Sequence, residues 1–518
     1  MTIQHQNPRI LVVTPEVTSV RHGMGPSSRS LSARAGGLGD ICTAQIQVLH
    51  EQGLDVHLAM PNYRNLFARN AHRMPGIDIH YRPCELPDNH IHLAQDRSFY
   101  YHSKLFVATD RENVRIALAF QREVINRIIP EVQPDLIHCF DWMTGLIPAM
   151  ARKSGIPCLF TLYRLDSPRL LLSTIEERGI DAASFWQHCF YARMPVDYQE
   201  TRNTNPLDLL TSGVFAAGWA TTLSQTFQNG LTGTFNHFTA LMLKTELQNK
   251  LRAGRLYAVA PAPDPSFNPA TDRVLLRPYG PDSHSAGKLF NKLQLQETLN
   301  LRMDSTVPLC FWPARLDGSR PGCRLMADTL PVILERYREH NLQVVFIADG
   351  DLQAHIRELI DRLHATDRVA VCDFDARRCR LAYGGANFVF MPLQLDPCAL
   401  PCKIGQRYGA LPIAFDAGAI HDCVEHLEPA ANCGTGFLFK HFDANGFLWA
   451  IDQAMAFYGQ TREFRAFQVQ RIMTDSLVRF DPGDAARQTI DLYARALNRS
   501  LVYLKAGTNQ SVSSQIAA

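Results

Sequence analysis

Short apolar runs alternate with amphipathic segments along most of this 518-residue chain. The first half contains such runs at residues 10–17, 56–60, 135–141 and 156–162. Runs of this length, rich in β-branched side chains, are typical of strands that are buried on both faces of a parallel sheet. The segments between them have helical spacing. The pattern therefore predicts a doubly wound α/β domain.

A second series of the same kind begins near Val307, after a run of prolines between 261 and 269 and a helical linker. Two doubly wound domains predict a cleft between them, and we expect the fold to be α/β with two Rossmann-like domains. The expected division is an N-terminal domain at 1–270 and a C-terminal domain at 271–480. A helix at 481–505 is expected to pack back on the first domain, before a polar, disordered tail at 506–518.

The start of the first domain carries a candidate anion site. Residues 18–32 are rich in Ser, Arg and Gly and predict a long surface loop. Gly36 and Gly37 then open a predicted helix that extends to about Gln52. Glycines at a helix N-terminus let backbone N–H groups approach an anion, although a glycine pair is often only a turn. The spacing is not GxGxxG, so no dinucleotide fingerprint is present.

Two stretches of the second half carry candidate chemistry. Arg315 and Arg320 flank one predicted strand-to-helix loop, where they could bind phosphate or form a solvated ion pair. Asp396 follows the apolar run 388–391, and Gly418 lies in a small-residue turn after the next run. The carboxylate of Asp396 could hold sugar hydroxyls, or it could cap the following helix.

The composition of the chain argues against several classes of protein: nucleic-acid-binding, membrane-spanning and secreted. The 52 basic and 50 acidic side chains nearly cancel, so a nucleic acid is not an expected partner. No apolar run approaches the roughly 18 residues that span a bilayer, and the N-terminus does not resemble a signal peptide. The 13 cysteines include no CxxC pair, which favours reduced thiols in a cytoplasmic protein. A metal site at Cys398 and Cys402 is not favoured, because no second ligand pair follows at zinc spacing.

From residue 10 to residue 500 the chain resembles the glycogen and starch synthases. Many motifs in the family's order carry the resemblance: TPEV at 14–17, AGGLGD at 35–40, PDLIH at 134–138, DWMTGLIPA at 141–149, TSGVFAAGWATTLSQTF at 211–227, ARL at 314–316, DPCAL at 396–400, RYGALPI at 407–413 and GTGFLF at 434–439. One such match would mean little, whereas this series across nearly the whole chain is highly specific.

The resemblance implies a retaining glycosyltransferase of the GT-B fold. Such enzymes transfer glucose from ADP-glucose or UDP-glucose to the non-reducing end of an α-1,4-glucan and need no catalytic metal or other cofactor. It implies catalytic roles for Asp396, Arg315 and Arg320. The donor-binding residues that it implies are Arg34, Gly36, Gly37, Asp141, Cys398, Ala399, Leu400 and Gly418. It does not indicate an oligomeric state.

The chain departs from the family pattern at several of these positions. Arginine replaces lysine at 34 and 320, Asp396 replaces a glutamate, and alanine replaces glycine at 399 and 419. Phe140 and Met143 stand where the family has histidines, and Tyr163-Arg164-Leu165 stands where a further histidine is usual. Three functions therefore remain open: a synthase, a catalytically weakened glucan- or nucleotide-binding scaffold or regulator, and a glycosyltransferase with another donor or acceptor.

Overall fold

The computed structural model describes residues 7–22, 29–73, 84–102, 105, 110–233 and 240–501. The chain divides into two units. The first comprises Met1–Pro261 together with the chain from Pro482 onward, and the second is Ala262–Asp481. The change from one unit to the other falls at the start of the proline-rich run seen in the sequence. The tail expected at 506–518 lies outside the described residues.

The first unit is built on a seven-stranded sheet in the order β11-β10-β7-β6-β1-β4-β5, in which every neighbouring pair is parallel. Its central strands are buried on both faces, as the apolar runs predict. The strands of this unit, including two short antiparallel pairs, are β1 Arg9–Val13, β2 Val17–His22, β3 Arg29–Ala33, β4 Asp55–Pro61, β5 Ile91–Ala94, β6 Leu136–Phe140, β7 Cys158–Thr161, β8 Arg169–Leu170, β9 Leu207–Asp208, β10 Trp219–Thr222 and β11 Leu256–Ala258.

The helices of the first unit connect these strands. The helix predicted after Gly36 and Gly37 is confirmed as α1. The set is α1 Gly37–Glu51, α2 Arg64–Arg73, α3 Arg97–Tyr100, α4 Asp110–Glu123, α5 Ile129–Val132, α6 Ile147–Lys153, α7 Leu172–Glu176, α8 Tyr198–Thr204, α9 Leu209–Ala216, α10 Gln225–Thr232 and α11 Leu241–Arg252.

The sequence predicts a surface loop at residues 18–32, and this prediction is wrong for the part of the segment that the structure describes. Strands β2 and β3 pair there as an antiparallel ribbon, with a register shift between Val17 and Val20. Val17, Val20 and Leu31 are buried and belong to the apolar core of the first unit. A few apolar positions are enough to hold a ribbon on the core, although serine and arginine dominate its composition.

The second unit has a six-stranded parallel sheet in the order β14-β13-β12-β15-β16-β17. Its strands are β12 Leu309–Trp312, β13 Gln343–Ile347, β14 Val369–Cys372, β15 Phe388–Met391, β16 Leu411–Phe415 and β17 Phe437–Phe439. Its helices are α12 His284–Thr298, α13 Pro321–Arg336, α14 Leu352–Arg362, α15 Ala376–Gly385, α16 Leu400–Tyr408, α17 Gly418–Cys423, α18 Ala444–Tyr458 and α19 Arg462–Arg479. The predicted fold class, with two Rossmann-like α/β units, is confirmed.

The last described helix, α20 at Pro482–Leu497, belongs to the first unit. Its Tyr493 is fully buried, and the phenolic oxygen lies 2.7 Å from Nδ1 of His138 on β6. The other ring nitrogen of His138 lies 2.7 Å from the Thr161 hydroxyl on β7. A polar bridge thus joins the C-terminal helix to two strands of the sheet. Burial lowers the pKa of His138 to about 3, so the ring in this bridge is neutral.

None of the described helices is both long and apolar enough to cross a membrane.

The turn before α16 holds a residue in a costly backbone conformation. Ala399, at the N-terminus of that helix, has φ +51° and ψ +31°, in the left-handed region. An L-residue other than glycine pays about 1–2 kcal/mol there. Two hydrogen bonds from the backbone to a side chain keep the turn in place. The N–H groups of Cys398 and Ala399 donate to Oδ1 of Asp396 at 2.9 and 2.6 Å.

We expect Ala399→Gly to be more stable than a matched alanine-to-glycine change elsewhere. Ala382 is the control, because it is equally buried but lies inside helix α15. Both changes remove a buried methyl group and add a flexible residue, but only Ala399→Gly relieves left-handed strain. The free energy of unfolding, measured by urea denaturation of the full chain, should therefore be about 1–2 kcal/mol higher for Ala399→Gly than for Ala382→Gly. Equal values for the two variants would contradict the assignment of strain to this turn.

Candidate functional site

The strand order of each sheet reverses direction at one point. In the first unit the chain runs from β1 outward to β4 and β5, then returns to place β6 on the other side of β1. In the second unit the same reversal lies between β12 and β15. Ligands of open α/β sheets bind outside the carboxyl ends of the strands at such switch points. The loops after β1, β6, β12 and β15 are therefore the candidate sites, each within its own unit.

Three charged side chains meet at the switch point of the first unit. Glu16 follows β1, Asp141 follows β6, and Arg164 follows the neighbouring strand β7. The Arg164 guanidinium donates from one nitrogen to Oε1 of Glu16 and from another to Oδ2 of Asp141, both at 2.5 Å. Both carboxylate side chains are fully buried, whereas a quarter of the Arg164 side chain is exposed. A partly accessible cation thus covers two buried acids.

Asp141 is held in place by its backbone and by its side chain. It has φ +67°, which is uncommon for a residue other than glycine, and its Oδ1 accepts the N–H groups of Trp142 at 2.9 Å and Arg164 at 3.3 Å. Burial raises the pKa of the Asp141 carboxyl, and the Arg164 guanidinium opposes that rise. Such strained conformations persist where the surroundings hold them, and they cluster at functional sites.

Glu16 also shapes the start of helix α1. Its Oε2 accepts the N–H groups of Ala35 at 2.9 Å and Gly36 at 3.2 Å. An internal carboxylate therefore already occupies part of the predicted anion site. The N–H groups of the first helical turn, beginning at Gly37, have no partner within the helix and remain suited to an anion.

Arg34, which the resemblance assigns to donor binding, is bound to the same helix. Its Nε and one terminal nitrogen lie 2.9 and 2.8 Å from the two carboxylate oxygens of Asp40, in a fork-shaped pair. The Thr18 hydroxyl donates to the same carboxylate at 2.5 Å. The pair fixes Arg34 beside the first turn of α1. Its role in donor binding stays a prediction.

In the second unit, Arg315 and Arg320 lie on the loop between β12 and α13, as predicted. Both are exposed, and Arg320 is the residue that precedes α13. The only ion pair of Arg320 with another described residue joins its Nε to Oδ2 of Asp317, and it is long, at 3.8 Å. Exposed pairs of this kind contribute little. The Arg315 guanidinium has no hydrogen bond or ion pair with the part of the chain that the structure describes.

The loop that carries these arginines is fixed by its neighbour, the loop between β13 and α14. The Gly318 N–H donates to Oδ1 of Asp351 at 2.7 Å, and the Leu352 N–H donates to the Leu316 carbonyl at 3.1 Å. Gly350 has φ +158°, and a Cβ at this position would lie 1.9 Å from the Leu316 oxygen. Only glycine fits this approach, so the backbone that presents the arginines is closely held.

Asp396 lies after β15, at the other side of this switch point. One of its oxygens is committed to the turn before α16, which is the capping role that the sequence left open beside sugar binding. Cys398, Ala399 and Leu400 are buried as whole residues, backbone included, so the donor-binding role that the resemblance implies for them stays a prediction. Burial raises the pKa of the Cys398 thiol, which stays protonated.

Gly418 begins helix α17 after β16 with φ +53°, so its place in the turn uses the conformational freedom of glycine. The next residue, Ala419, is buried, and its N–H approaches the Asp396 carbonyl at 3.4 Å. The loops after β15 and β16 are therefore in contact. The structure brings Asp396 and Gly418 to one edge of the second sheet.

Sequence reasoning named neither Glu16 nor Arg164 as a site residue. A signal for Glu16 was available, since it is an acid near the C-terminal end of the predicted strand 10–17, as Asp141 is at the end of the predicted strand 135–141. Arg164 was noted only as a departure from a usual histidine. Its pairing with two acids from different loops depends on the strand order, which the sequence did not reveal.

Comparisons with known proteins agree on one family. Residues 9–242 match the model of the starch synthase catalytic domain. A glycogen synthase of Syntrophotalea carbinolica is 27% identical over 500 residues, covering 90% of this chain and 96% of the relative. Glycogen synthase 2 of Geobacter sulfurreducens is 27% identical over 468 residues, covering 84% of this chain and 90% of the relative.

Among solved structures, the fold is similar to the catalytic domain of starch synthase IV from Arabidopsis thaliana. The TM-score is 0.75 at 19% sequence identity, with 95% of this chain and all of the other covered. The chain is therefore similar in sequence to the glycogen and starch synthases along most of its length, and its fold is similar to that of a starch synthase catalytic domain.

Proposed function

We propose that this glycosyltransferase moves glucose from ADP-glucose or UDP-glucose to the non-reducing end of an α-1,4-glucan, with retention of the α configuration. The observation that carries the proposal is the pair Arg315 and Arg320, two exposed guanidinium groups on a closely held loop at the switch point of the second sheet. The similar starch synthase IV structure was bound to ADP and acarbose, which supports an adenine nucleotide and a sugar polymer as ligands.

The proposed glucosyl transfer requires stabilisation of the diphosphate leaving group. Negative charge grows on the diphosphate as the bond to the anomeric carbon breaks, and preorganised cations lower the energy of that state. Arg315 and Arg320 suit this role because guanidinium stays charged and can bind two phosphate oxygens at once. We therefore propose that these side chains neutralise the charge without a catalytic metal or another cofactor.

Of the residues that the resemblance implies for the donor, Asp396 and Gly418 lie in the unit that carries the two arginines, at one edge of its sheet, and in this proposal they contact the donor. The donor-binding roles implied for Arg34, Gly36, Gly37 and Asp141 of the first unit stay predictions.

We propose a reducing, cytoplasmic setting. The thirteen cysteines are scattered along the chain and include no CxxC pair, a pattern that favours reduced thiols over a disulfide framework.

A second candidate function rests on Arg164. Where the resemblance leads us to expect a histidine, this chain has a longer cation that spans two buried acids. A change of this size at a switch point favours either another donor or acceptor or a relative that binds without transferring. The charge arrangement around Arg164 can be tested separately from activity.

The transfer assay distinguishes these functions. Purified full-length protein is incubated with radiolabelled ADP-glucose or UDP-glucose and a glycogen primer. We expect label in the polymer with at least one donor, and we expect an α-1,4-specific hydrolase to release it, as retention requires. If neither donor labels the polymer while calorimetry still shows nucleotide binding, the synthase proposal fails and the binding role stands.

Arg315→Ala should weaken ADP binding by about 10- to 100-fold, because one charge-assisted, two-point contact is lost. The measurement is isothermal calorimetry with ADP. Arg338→Ala is the matched control, since Arg338 is exposed but follows the C-terminal end of α13, away from the loop. A Kd for Arg315→Ala equal to that of the control would remove Arg315 from the diphosphate site.

Arg164→Gln should destabilise the protein by about 3–5 kcal/mol at pH 7, because it leaves two buried carboxylates without their cation. Burial already raises the pKa of the Asp141 carboxyl, and the variant loses the guanidinium that opposes this rise, so the folded-state pKa of Asp141 lies further above its unfolded value. Protonation then favours the folded state, so the difference from the wild type should shrink as the pH falls from 7 to 5.

Urea denaturation at both pH values measures this effect. Arg127→Gln serves as the control, because Arg127 forms partly exposed pairs with Glu123 and Glu131 and one hydrogen bond to the neutral Leu93 carbonyl, and its loss should cost no more than about 2 kcal/mol. A loss for Arg164→Gln that is no larger than for Arg127→Gln, or that does not change with pH, would contradict the account of the cluster.

A further inference from the structure

Four side chains that the transfer reaction does not use converge at one margin of the first sheet. Asp55 and His57 lie on β4, and His90 and His92 lie at the start of the edge strand β5. Residues two apart on a strand point to the same face. His92 pairs with Ala59 in the parallel register, so the two alternating pairs share one face of the sheet.

The ligand atoms of three of these residues already lie close together. One atom each from Asp55, His57 and His90 forms a group in which all separations are within 4.8 Å. Oδ1 of Asp55 lies 3.2 Å from Nε2 of His57. Ligands held at zinc distances of about 2.0–2.2 Å in a tetrahedron are about 3.3 Å apart, so small side-chain rotations would complete the geometry.

Each of the two rings has a partner of the kind that orients metal-binding histidines. His57 Nδ1 lies 2.9 Å from Nε2 of His92, and His90 Nδ1 lies 3.1 Å from the Val56 carbonyl. With its proton on Nδ1, His57 donates to His92 and keeps the lone pair of its Nε2, which faces Oδ1 of Asp55, for a ligand. The His90 nitrogen nearest that oxygen is Nδ1, at 3.7 Å, so the His90 ring would rotate to present a free nitrogen. The rings of His57 and His90 are stacked, with centroids 4.1 Å apart, which restricts their orientation further.

The charges around the cluster are compatible with a cation. Arg9 lies 3.5 Å from Oδ2 of Asp55, which leaves Oδ1 to face His57. Farther out, the charges of Arg127 and Glu131, which are opposite in sign, both act on the His92 ring.

We propose that Asp55, His57 and His90 form a binding site for a zinc-type divalent cation, with water as a fourth ligand and His92 as the residue that positions His57. Two imidazoles and one carboxylate suit zinc and its first-row neighbours, whereas Mg²⁺ and Ca²⁺ prefer oxygen ligands alone.

The position of the site assigns it a structural role. Asp55 is the first residue of β4 and His90 directly precedes β5, so the cluster lies at the amino ends of the strands. The switch-point residues Glu16 and Asp141 follow the carboxyl ends. A cation here would tie the edge strand to its neighbour and would take no part in glucosyl transfer, so it does not conflict with the proposed metal-free mechanism.

Cobalt provides the direct test. The full chain is stripped with a chelator, dialysed and titrated with Co²⁺, whose visible absorption bands report coordination geometry. We expect one equivalent with the intensity of a tetrahedral or five-coordinate site, displaced by one equivalent of Zn²⁺ as measured by elemental analysis. Zn²⁺ should also raise the melting temperature of the apo protein.

Variants separate this site from binding by other histidines. His57→Gln and His90→Gln should abolish the stoichiometric cobalt spectrum, and His92→Gln should weaken zinc binding about 10- to 100-fold. His355→Gln, an exposed histidine of the second unit, should bind as the wild type does. Circular dichroism confirms that each variant is folded, and Asp55→Asn replaces any variant that is not.

Absence of a stoichiometric spectrum in the wild type, or an unchanged spectrum in folded His57→Gln and His90→Gln, would overturn the proposal. Glucosyl transfer should be the same in the His57→Gln and His355→Gln variants. A loss of transfer confined to His57→Gln would overturn the structural role.

Discussion

The reversal of strand order in each parallel sheet is the constraint on which the sites depend. On either side of a switch point, the connecting helices turn away to opposite faces, so the carboxyl ends of the two central strands are left uncovered by the sheet's own connections. Backbone and side-chain polar groups that end there must find partners in the loops. In the first unit the partners are Glu16, Asp141 and Arg164, and in the second they are the backbone of the arginine loop and Asp396.

The hydrogen bonds and ion pairs of these groups hold strained backbone conformations and buried charges near the strand ends. Asp141 keeps a positive φ because its carboxylate is bonded to two backbone N–H groups and to Arg164. Ala399 keeps a left-handed conformation because the Asp396 carboxylate accepts the N–H groups of Cys398 and of Ala399 itself. A buried ion cluster is costly to desolvate, but once formed it is even more costly to break, which makes its geometry specific. The same groups that hold the loops therefore also present the chemistry.

Much of this architecture could be predicted from the sequence, because local pattern decides it. Strand β15 was predicted at its observed residues, since it is a continuous apolar run. The β2–β3 ribbon was missed because its composition is that of a loop and only a few positions are apolar. The sequence could not decide whether Asp396 caps the turn before α16 or binds sugar hydroxyls, since a carboxylate at this position suits both roles.

The partnership of Arg164 with Glu16 and Asp141 could not be predicted, because these residues are far apart in the chain and meet only through the strand order. The His–Asp cluster at the other end of the first sheet depends on the same order. Its residues are brought together by the parallel register of β4 and β5, and the alternation Asp55-x-His57 and His90-x-His92 gains meaning only when those strands are neighbours. The two ends of a parallel sheet therefore differ in function. Ligands bind at the loops that follow the carboxyl ends of the strands, so residues at the amino ends can stabilise the pairing of the strands without affecting ligand binding.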